Sequence, residues 1–430
     1  MDSRYIRLIE PFLEDLLTDL PAISVDGLKG IGKTESASRI ANTVFELDSE
    51  RDRLLLENDA ERLVAAKQPV LLDEWQKLPW VWDHVRRLVD RNRQRSSFLF
   101  TGSITAKNLD LHSGAGRIVR IRMFPLSLEE RGLGKKTVSL SSLFDSGQSC
   151  SAPIGGETAI AFSDYLNEIA LSGLPALRIA NERRRRTVLS SYLDNLLTHD
   201  FVQEGINIKQ PQALKRWLTA YAAAISSTAG YNLILDNATA GVAEKPATRT
   251  TIAYREALER LWLIEELPAW LDGENYYARL KRTPKHYLAD PAFAVQLLDI
   301  SIDRLLGQPS QHLPETRFDG RYGNIVGRLF EALLYQSLCA YAAVLEAEMF
   351  YFHTEKGERE IDFILTQGSR TIAVEVKAAP FVDDADVRHL VWLKKAMGGR
   401  LADALIITTG PLAYRRPDGI AVVPAALLGA

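Results

Sequence analysis

The stretch AISVDGLKGIGKT, Ala22–Thr34, constrains the chain more than any other. A short apolar run enters a glycine-rich turn, and a helical pattern follows from about Glu35 to Thr43. Gly27, Gly32, Lys33 and Thr34, with Gly30 inside the turn, fit G-x-x-x-x-G-K-[ST], the phosphate-binding loop of NTPases. The residue types follow from the task. Glycines let backbone N–H groups curl round a phosphate where a Cβ would block the turn. Lys33 brings a point charge for the β- and γ-phosphates, and the Thr34 hydroxyl is a ligand for Mg²⁺. The helix adds its positive N-terminal end. Strand, loop and helix in this order predict an α/β fold that binds ATP with Mg²⁺.

The 430 residues are enough for several domains. Hydrophobic content of 46% with 25% charged residues is that of an ordinary globular protein, and a net charge of −3 does not advertise nucleic-acid binding. Cys150 and Cys339 lie far apart without ligand-like spacing, so reduced thiols in a cytoplasmic protein are expected. The N-terminal MDSRYIRLIEPFLEDLL is amphipathic and acidic, unlike a signal peptide. No apolar run approaches the ~20 residues of a membrane span, so no membrane partner is expected.

PVLLDE, Pro69–Glu74, reads as a buried parallel strand ending in acids at an active site. Asp73 is placed to hold Mg²⁺ with Thr34, and Glu74 to polarise the attacking water. Candidate strands also cover VFEL, 44–47, and 97–100, with an amphipathic helix over Trp80–Arg91. The fourth strand runs into Thr101–Ser103, where Ser103 either senses the γ-phosphate or closes a turn. Arg117, ahead of the strand IVRIRMF, is either an arginine finger, in cis or on a neighbouring copy of the chain in a homo-oligomer, or a surface arginine. Ser127 and Glu130 fit a capping box opening a helix.

GLKGIGKT, LLDEWQKLP, FLFTGS, AGR and FPLSLEE, in that order, resemble the AAA-like ATPase domain of a large prokaryotic family, in which a C-terminal region of obscure function follows. DEWQ is similar to that family's Walker B run. The resemblance implies ATP hydrolysis. Glu35 departs from it, standing where a small or hydroxyl residue is usual.

Residues 135–159 are rich in Ser and Gly and read as a flexible connection. LSGLP, 171–175, again resembles the family. Arg183, Arg184, Arg185 and Arg186 lie on a long helix, as a solvated face or as phosphate contacts. Residues 211–228 and 246–270, with KHYLA at 285–289 as a hairpin partner, suggest a winged helix. Arg249, Thr250, Thr251, Tyr254 and Arg255 then sit where a recognition helix meets DNA. Such a module also serves as a lid or docking element. The polar segment 301–322 reads as a hinge.

After it, a helix at 327–345 carries Glu331, and strands are expected at 349–354, 358–365, 371–378 and 404–409, the last after a helix over 384–397. Asp362 lies inside the second strand. Glu375 and Lys377 emerge on one face of the third. An acid on one strand and E-x-K on the next resembles the PD-(D/E)XK nuclease core. That resemblance implies Mg²⁺ at Asp362 and Glu375, Lys377 at the attacking water, and Glu331 completing the acidic cluster. His353 stands where the family often has arginine. The same fold also serves as an inactive binding module.

The expected organisation is thus a P-loop, AAA-like ATPase domain over 1–135, a helical and winged-helix region over 136–305, and a restriction-endonuclease-like α/β domain over 306–430. Nucleotide state would act on a nuclease-like, DNA-interacting C-terminal domain. The alternatives are a nucleotide-gated interaction switch with an inactive C-terminal module, or an ATP-dependent DNA-binding regulator.

Overall fold

A computed structural model of the chain describes residues 5–91, 97–102, 116–145, 153–200, 211–240, 248–271, 282–300, 325–354 and 358–430. It divides into two compact units, residues 1–125 with 258–262, and residues 126–257 with 263–430. The expected hinge at 301–322 lies outside the described residues. Among the described residues, no helix is long and apolar enough to cross a membrane.

The first unit opens with α1 (Ile9–Asp19), β1 (Ala22–Asp26) and α2 (Lys33–Ile40). Then come β2 (Thr43–Glu46), α3 (Glu50–Asn58), α4 (Arg62–Ala65), β3 (Val70–Asp73), α5 (Trp80–Arg91), β4 (Phe98–Thr101) and β5 (Val119–Arg122). The strands form one sheet in the order β2-β3-β4-β1-β5, every pair parallel. β3 and β4 are buried along their whole length, which is why VLLD and FLFT read as continuous apolar runs rather than alternating ones. α5 turns Val81, Val85 and Val89 inward, at intervals of four residues along one helical face. Trp82, beside them, packs on Trp75 with ring centroids 4.6 Å apart, and Phe100 completes the cluster. In this strand order the loop after β1 and the ends of β3 and β4 lie side by side. Asp73 pairs with Thr101 in the ladder, and Thr101 with Val25.

The second unit is built on a seven-stranded mixed sheet, and its first elements in sequence are β6 (Val138–Ser139), α6 (Leu140–Asp145) and β7 (Gly156–Glu157). Helices α7 (Phe162–Leu171), α8 (Pro175–Ile179), α9 (Glu182–Asn195), α10 (Pro211–Ala223), α11 (Tyr231–Ala238) and α12 (Thr248–Arg260, its end in the first unit) precede a hairpin of β8 (Ile264–Leu267) and β9 (Lys285–Leu288). After α13 (Pro291–Leu297) and the 20-residue α14 (Ile325–Val344) come β10 (Glu348–His353), β11 (Glu360–Gln367), β12 (Arg370–Lys377), α15 (Arg388–Met397), β13 (Leu401–Thr408), β14 (Leu412–Arg415), β15 (Ala421–Pro424) and β16 (Leu428–Gly429). The sheet order is β10-β11-β12-β13-β15-β14-β7. β10 to β12 are antiparallel neighbours, and β12, β13 and β15 run parallel. α14 is buried on most sides, which accounts for its near-continuous apolar sequence.

The structure departs from two of the sequence expectations. The Ser- and Gly-rich stretch is not simply a flexible connection. β7 pairs with β14 at the sheet edge, β6 pairs with β16, and Leu140, Leu143 and Phe144 are buried. Gly156 is needed for close approach, since a Cβ there would lie 2.2 Å from Thr137 Oγ1. The Ser127–Glu130 box forms, with Ser127 N–H donating to Glu130 Oε2 at 2.8 Å and Glu130 N–H to Ser127 Oγ at 3.3 Å. It closes an isolated turn, because the chain reaches Gly132 at φ +72° before a helix can extend.

Candidate functional site

The loop between β1 and α2 turns on Gly27, whose φ is +144° and whose missing Cβ would lie 2.4 Å from the Met123 carbonyl oxygen. Gly30 and Gly32 also have positive φ. Arg7 braces the loop by donating to the Ile31 carbonyl at 2.6 Å and the Phe124 carbonyl at 2.7 Å. Lys33 is buried and folds back over its own loop, donating to the carbonyls of Gly27 at 2.8 Å and Leu28 at 2.9 Å. Burial pulls its ammonium pKa down to about 8, against the attraction of Glu74, Asp26 and Asp73. Asp26, at the end of β1, is pushed up by burial. Glu35 points outward to Arg39, 3.1 Å away, so its charge is spent one helical turn along.

The structure brings Thr34 and Asp73 together. Thr34 Oγ1 donates to Asp73 Oδ1 at 2.7 Å, and Thr101 Oγ1 donates to the same oxygen at 2.5 Å. Glu74 follows at φ +49°, an uncommon conformation for a non-glycine residue and one that clusters at active sites. Gln76 Nε2 donates to Glu74 Oε2. Thr34 and Asp73 present hard oxygen donors of the kind Mg²⁺ takes. Ser103 lies outside the described residues. Arg117 is half exposed and donates through Nε to Asp90 at 2.8 Å.

In the second unit, Glu331 from α14, Asp362 from β11 and Glu375 from β12 converge, and the ammonium of Lys285 on β9 stands between them. Lys285 Nζ lies 2.7 Å from Glu331 Oε1 and 2.9 Å from Asp362 Oδ1. The Tyr287 hydroxyl also donates to Glu331, and Val376 N–H donates to Asp362 Oδ2 at 3.0 Å. Glu375 Oε2 is buried with no hydrogen-bond partner among the described residues. Burial, then the Asp362 charge, push the Glu375 carboxyl well above the usual carboxylate range, and burial pushes Glu331 up to about 7. Burial alone would lower the Lys285 pKa, but Asp362 and Glu331 hold it well above the ordinary value. Lys377 is not part of this group. It extends to Asp386, half exposed. Among the described residues, no group of three or more His, Cys, Asp or Glu side chains is arranged to hold a metal ion. Two of the three carboxyl groups are instead paired with the Lys285 ammonium.

Lys285 is positioned by β10. Tyr351 OH donates to the Thr283 carbonyl at 2.5 Å, and Arg282 donates to the His353 carbonyl at 2.8 Å and to His353 Nδ1 at 2.6 Å. In the helical region, Tyr254 is buried and packs inward rather than toward a partner, because it lies on the core side of α12 with Ala257 and Leu258. Arg255 lies over the Tyr231 ring, 4.8 Å from its centroid. Arg249 and Thr250 are exposed, Thr251 half-buried. Of the arginine run, Arg186 pairs with Asp299 and Arg185 donates to the Ala180 carbonyl.

Sequence reasoning missed Thr101, Gln76, Arg7 and Lys285. Gln76 stands inside the DEWQ run and could have been singled out. Lys285 had one signal, a lysine inside a strand that is buried throughout.

Residues 19–132 match a family described as an AAA domain, and residues 163–304 and 326–428 match two domains of unknown function, DUF8612 and DUF4143. The N-terminal part is thus AAA-like, of a type that binds and hydrolyses nucleotide, and the pair of end domains fits an AAA-like ATPase family with a C-terminal domain of unknown function. An uncharacterized protein of Mycobacterium tuberculosis is 23% identical over 417 residues, covering 94% of this chain and 80% of the relative. One from Mycobacterium bovis matches to the same extent. One from Haemophilus influenzae is 25% identical over 253 residues, 54% of each chain.

Proposed function

We propose that this chain is an ATP-driven switch, binding and hydrolysing ATP with Mg²⁺ at the loop between β1 and α2 and passing its nucleotide state to the C-terminal domain. The observation that carries the reading is the hydrogen bond from Thr34 to Asp73, which joins the phosphate loop to the acidic strand end beside Glu74. Thr34 and Asp73 would hold Mg²⁺, which neutralises charge on the phosphates. The N-terminus of α2 and the loop N–H groups receive the phosphates. Lys33 exchanges the Gly27 and Leu28 carbonyls for phosphate oxygens of higher charge. Glu74, fixed by Gln76, orients a water for in-line attack on the γ-phosphorus. The switch reading for the second unit follows from covalent continuity, since the chain passes between the units at 125–126, 257–258 and 262–263.

A second reading, metal-dependent DNA cleavage by the second unit, draws on the convergence of Glu331, Asp362 and Glu375. Helix, helix, helix and hairpin over α10 to β9 also follow the order of a winged helix, which would give it a DNA-docking element. The position of Lys377 at Asp386 favours the binding-module alternative over a nuclease. The test follows ATP hydrolysis and cleavage of single- and double-stranded DNA together, in wild type, Lys33→Ala and Lys377→Ala. The switch reading expects hydrolysis that Lys33→Ala abolishes and no cleavage in any of the three proteins. Cleavage lost in Lys377→Ala alone would restore the nuclease reading. A wild type that neither binds nor hydrolyses ATP would sink the proposal.

A further inference from the structure

We propose that the ammonium of Lys285 is the resident cation of the acidic pocket in the second unit, holding Glu331 and Asp362 together beside Glu375 where a related pocket would use a divalent metal. Three observations carry this. Lys285 Nζ makes contacts of 2.7 Å and 2.9 Å to carboxylates on two different elements, α14 and β11. A third, longer approach of 3.5 Å reaches Glu360 on the pocket rim. Its side chain is 3% exposed, so the charge has no solvent to turn to. Glu375 Oε2, buried and without a partner among the described residues, shows that the pocket has more acceptor capacity than the lysine uses.

Geometry makes the two cations exclusive. A Mg²⁺ ion binds carboxylate oxygens at about 2.1 Å. An ion within that distance of both Glu331 Oε1 and Asp362 Oδ1 would need the space in which Nζ stands. The backbone that carries the lysine is also held. The backbone on its N-terminal side is pinned by Tyr351 and Arg282, and β9 is paired with β8 through four residues, Lys285 to Leu288. The pocket therefore acts as a latch between the hairpin and the β10–β12 sheet. The lysine, not a metal, closes it. This inference is independent of the nucleotide reading, because no residue in it belongs to the first unit.

The probe is Mn²⁺ alone, titrated calorimetrically into the nucleotide-free full chain, with Glu375→Gln as the control that marks metal bound in this pocket. Wild type is expected to show no Mn²⁺ binding that Glu375→Gln removes. Lys285→Met keeps the stem and deletes the charge. It is expected to bind Mn²⁺ at least roughly 100-fold more tightly than wild type, the ratio set by one unit charge ~3 Å from a divalent ion even at the dielectric constant of bulk water, ~80. That gain should vanish in Lys285→Met/Glu375→Gln. The single variant Lys285→Met should melt at a lower temperature than wild type and be raised again by Mn²⁺, whereas wild type should not respond. If Lys285→Met does not fold without metal, refolding in Mn²⁺ replaces the titration, and failure there overturns the proposal. Wild-type Mn²⁺ binding that disappears in Glu375→Gln would also overturn it, with no variant of Lys285 needed.

Discussion

Thr34 and Asp73 are 39 residues apart in sequence and joined by a 2.7 Å hydrogen bond that links the start of α2 to the end of β3. Asp73 does not depend on it alone, because Thr101 donates to the same oxygen from β4. Thr34→Val should therefore leave Asp73 in place and cost about 1.5–3 kcal/mol of stability, the range for a lost hydrogen bond to a charged group. The hydroxyl it removes is the one assigned to Mg²⁺. ATP hydrolysis should fall by roughly 10-fold or more at limiting Mg²⁺ and recover in part as Mg²⁺ is raised. A variant whose Mg²⁺ dependence matches wild type would show that Thr34 has only a structural part.

Glu74 and Gln76 separate binding from chemistry. Glu74 sits at φ +49° with its carboxylate held by the Gln76 amide. Glu74→Gln keeps the shape and removes the charge that polarises water. Its turnover should drop by roughly 10²–10⁴-fold with nucleotide affinity near wild type. Gln76 touches no phosphate in this reading, so it is a positioning residue. Gln76→Ala should lower kcat with little change in KM, and Gln76→Glu, which replaces the amide donor with a second carboxylate, should lower it further. A rise in KM at constant kcat would point to phosphate binding instead.

The first unit was legible because its chemistry demands fixed residue types at short spacing, and because fully buried parallel strands are written as unbroken apolar runs. The loop, DEWQ and FLFT needed no tertiary knowledge. The acidic pocket was half legible. Asp362 and Glu375 stand out as charges inside apolar strands, but Lys285 is 46 residues from Glu331 and 77 from Asp362, and only the folding of β9 against the sheet makes them neighbours. β6 and β7 were invisible for another reason. Strands of two residues carry no periodicity, and a glycine that permits close packing has the same letter as one that permits motion. Tyr254 was misplaced toward a partner because TTIAYRE has polar and apolar residues at spacings that fit either face of a helix.

That misplacement has a measurable consequence. Tyr254 is 7% exposed, so Tyr254→Ala should destabilise the second unit by about 3 kcal/mol or more, as for other large aromatic truncations in a core. Arg249, exposed on the preceding turn, should change stability by less than about 0.5 kcal/mol when replaced by alanine. Urea unfolding of the two variants compares them directly. If Arg249→Ala also weakens salt-dependent DNA binding while Tyr254→Ala only unfolds, the exposed part of α12 is the DNA-facing part. Equal stability of the two variants would contradict the burial of the tyrosine ring.

His286 makes the second unit sensitive to mild acid. Its ring lies between Tyr221 and Tyr231, each with centroid 5.0 Å away, and Nε2 donates to the Ala229 carbonyl at 2.7 Å. Nδ1 is buried without a partner among the described residues. Burial pulls the pKa down from 6.5 to about 4, with the Arg255 charge adding to the same direction. An unfolded chain takes up the proton as pH falls through about 6.5, while the folded one resists until about 4. The unfolded state therefore binds more protons in that window, and stability falls as the solution is acidified. Between pH 7 and pH 5 the loss from this one group is about 2 kcal/mol. His286→Gln retains an N–H donor and cannot titrate, so its stability should change less over the same interval, by about that amount. Urea unfolding of both proteins at pH 7 and pH 5 gives the four free energies needed. Equal losses in the two proteins would mean that the folded His286 takes up its proton as readily as the unfolded chain, which burial and the Arg255 charge oppose.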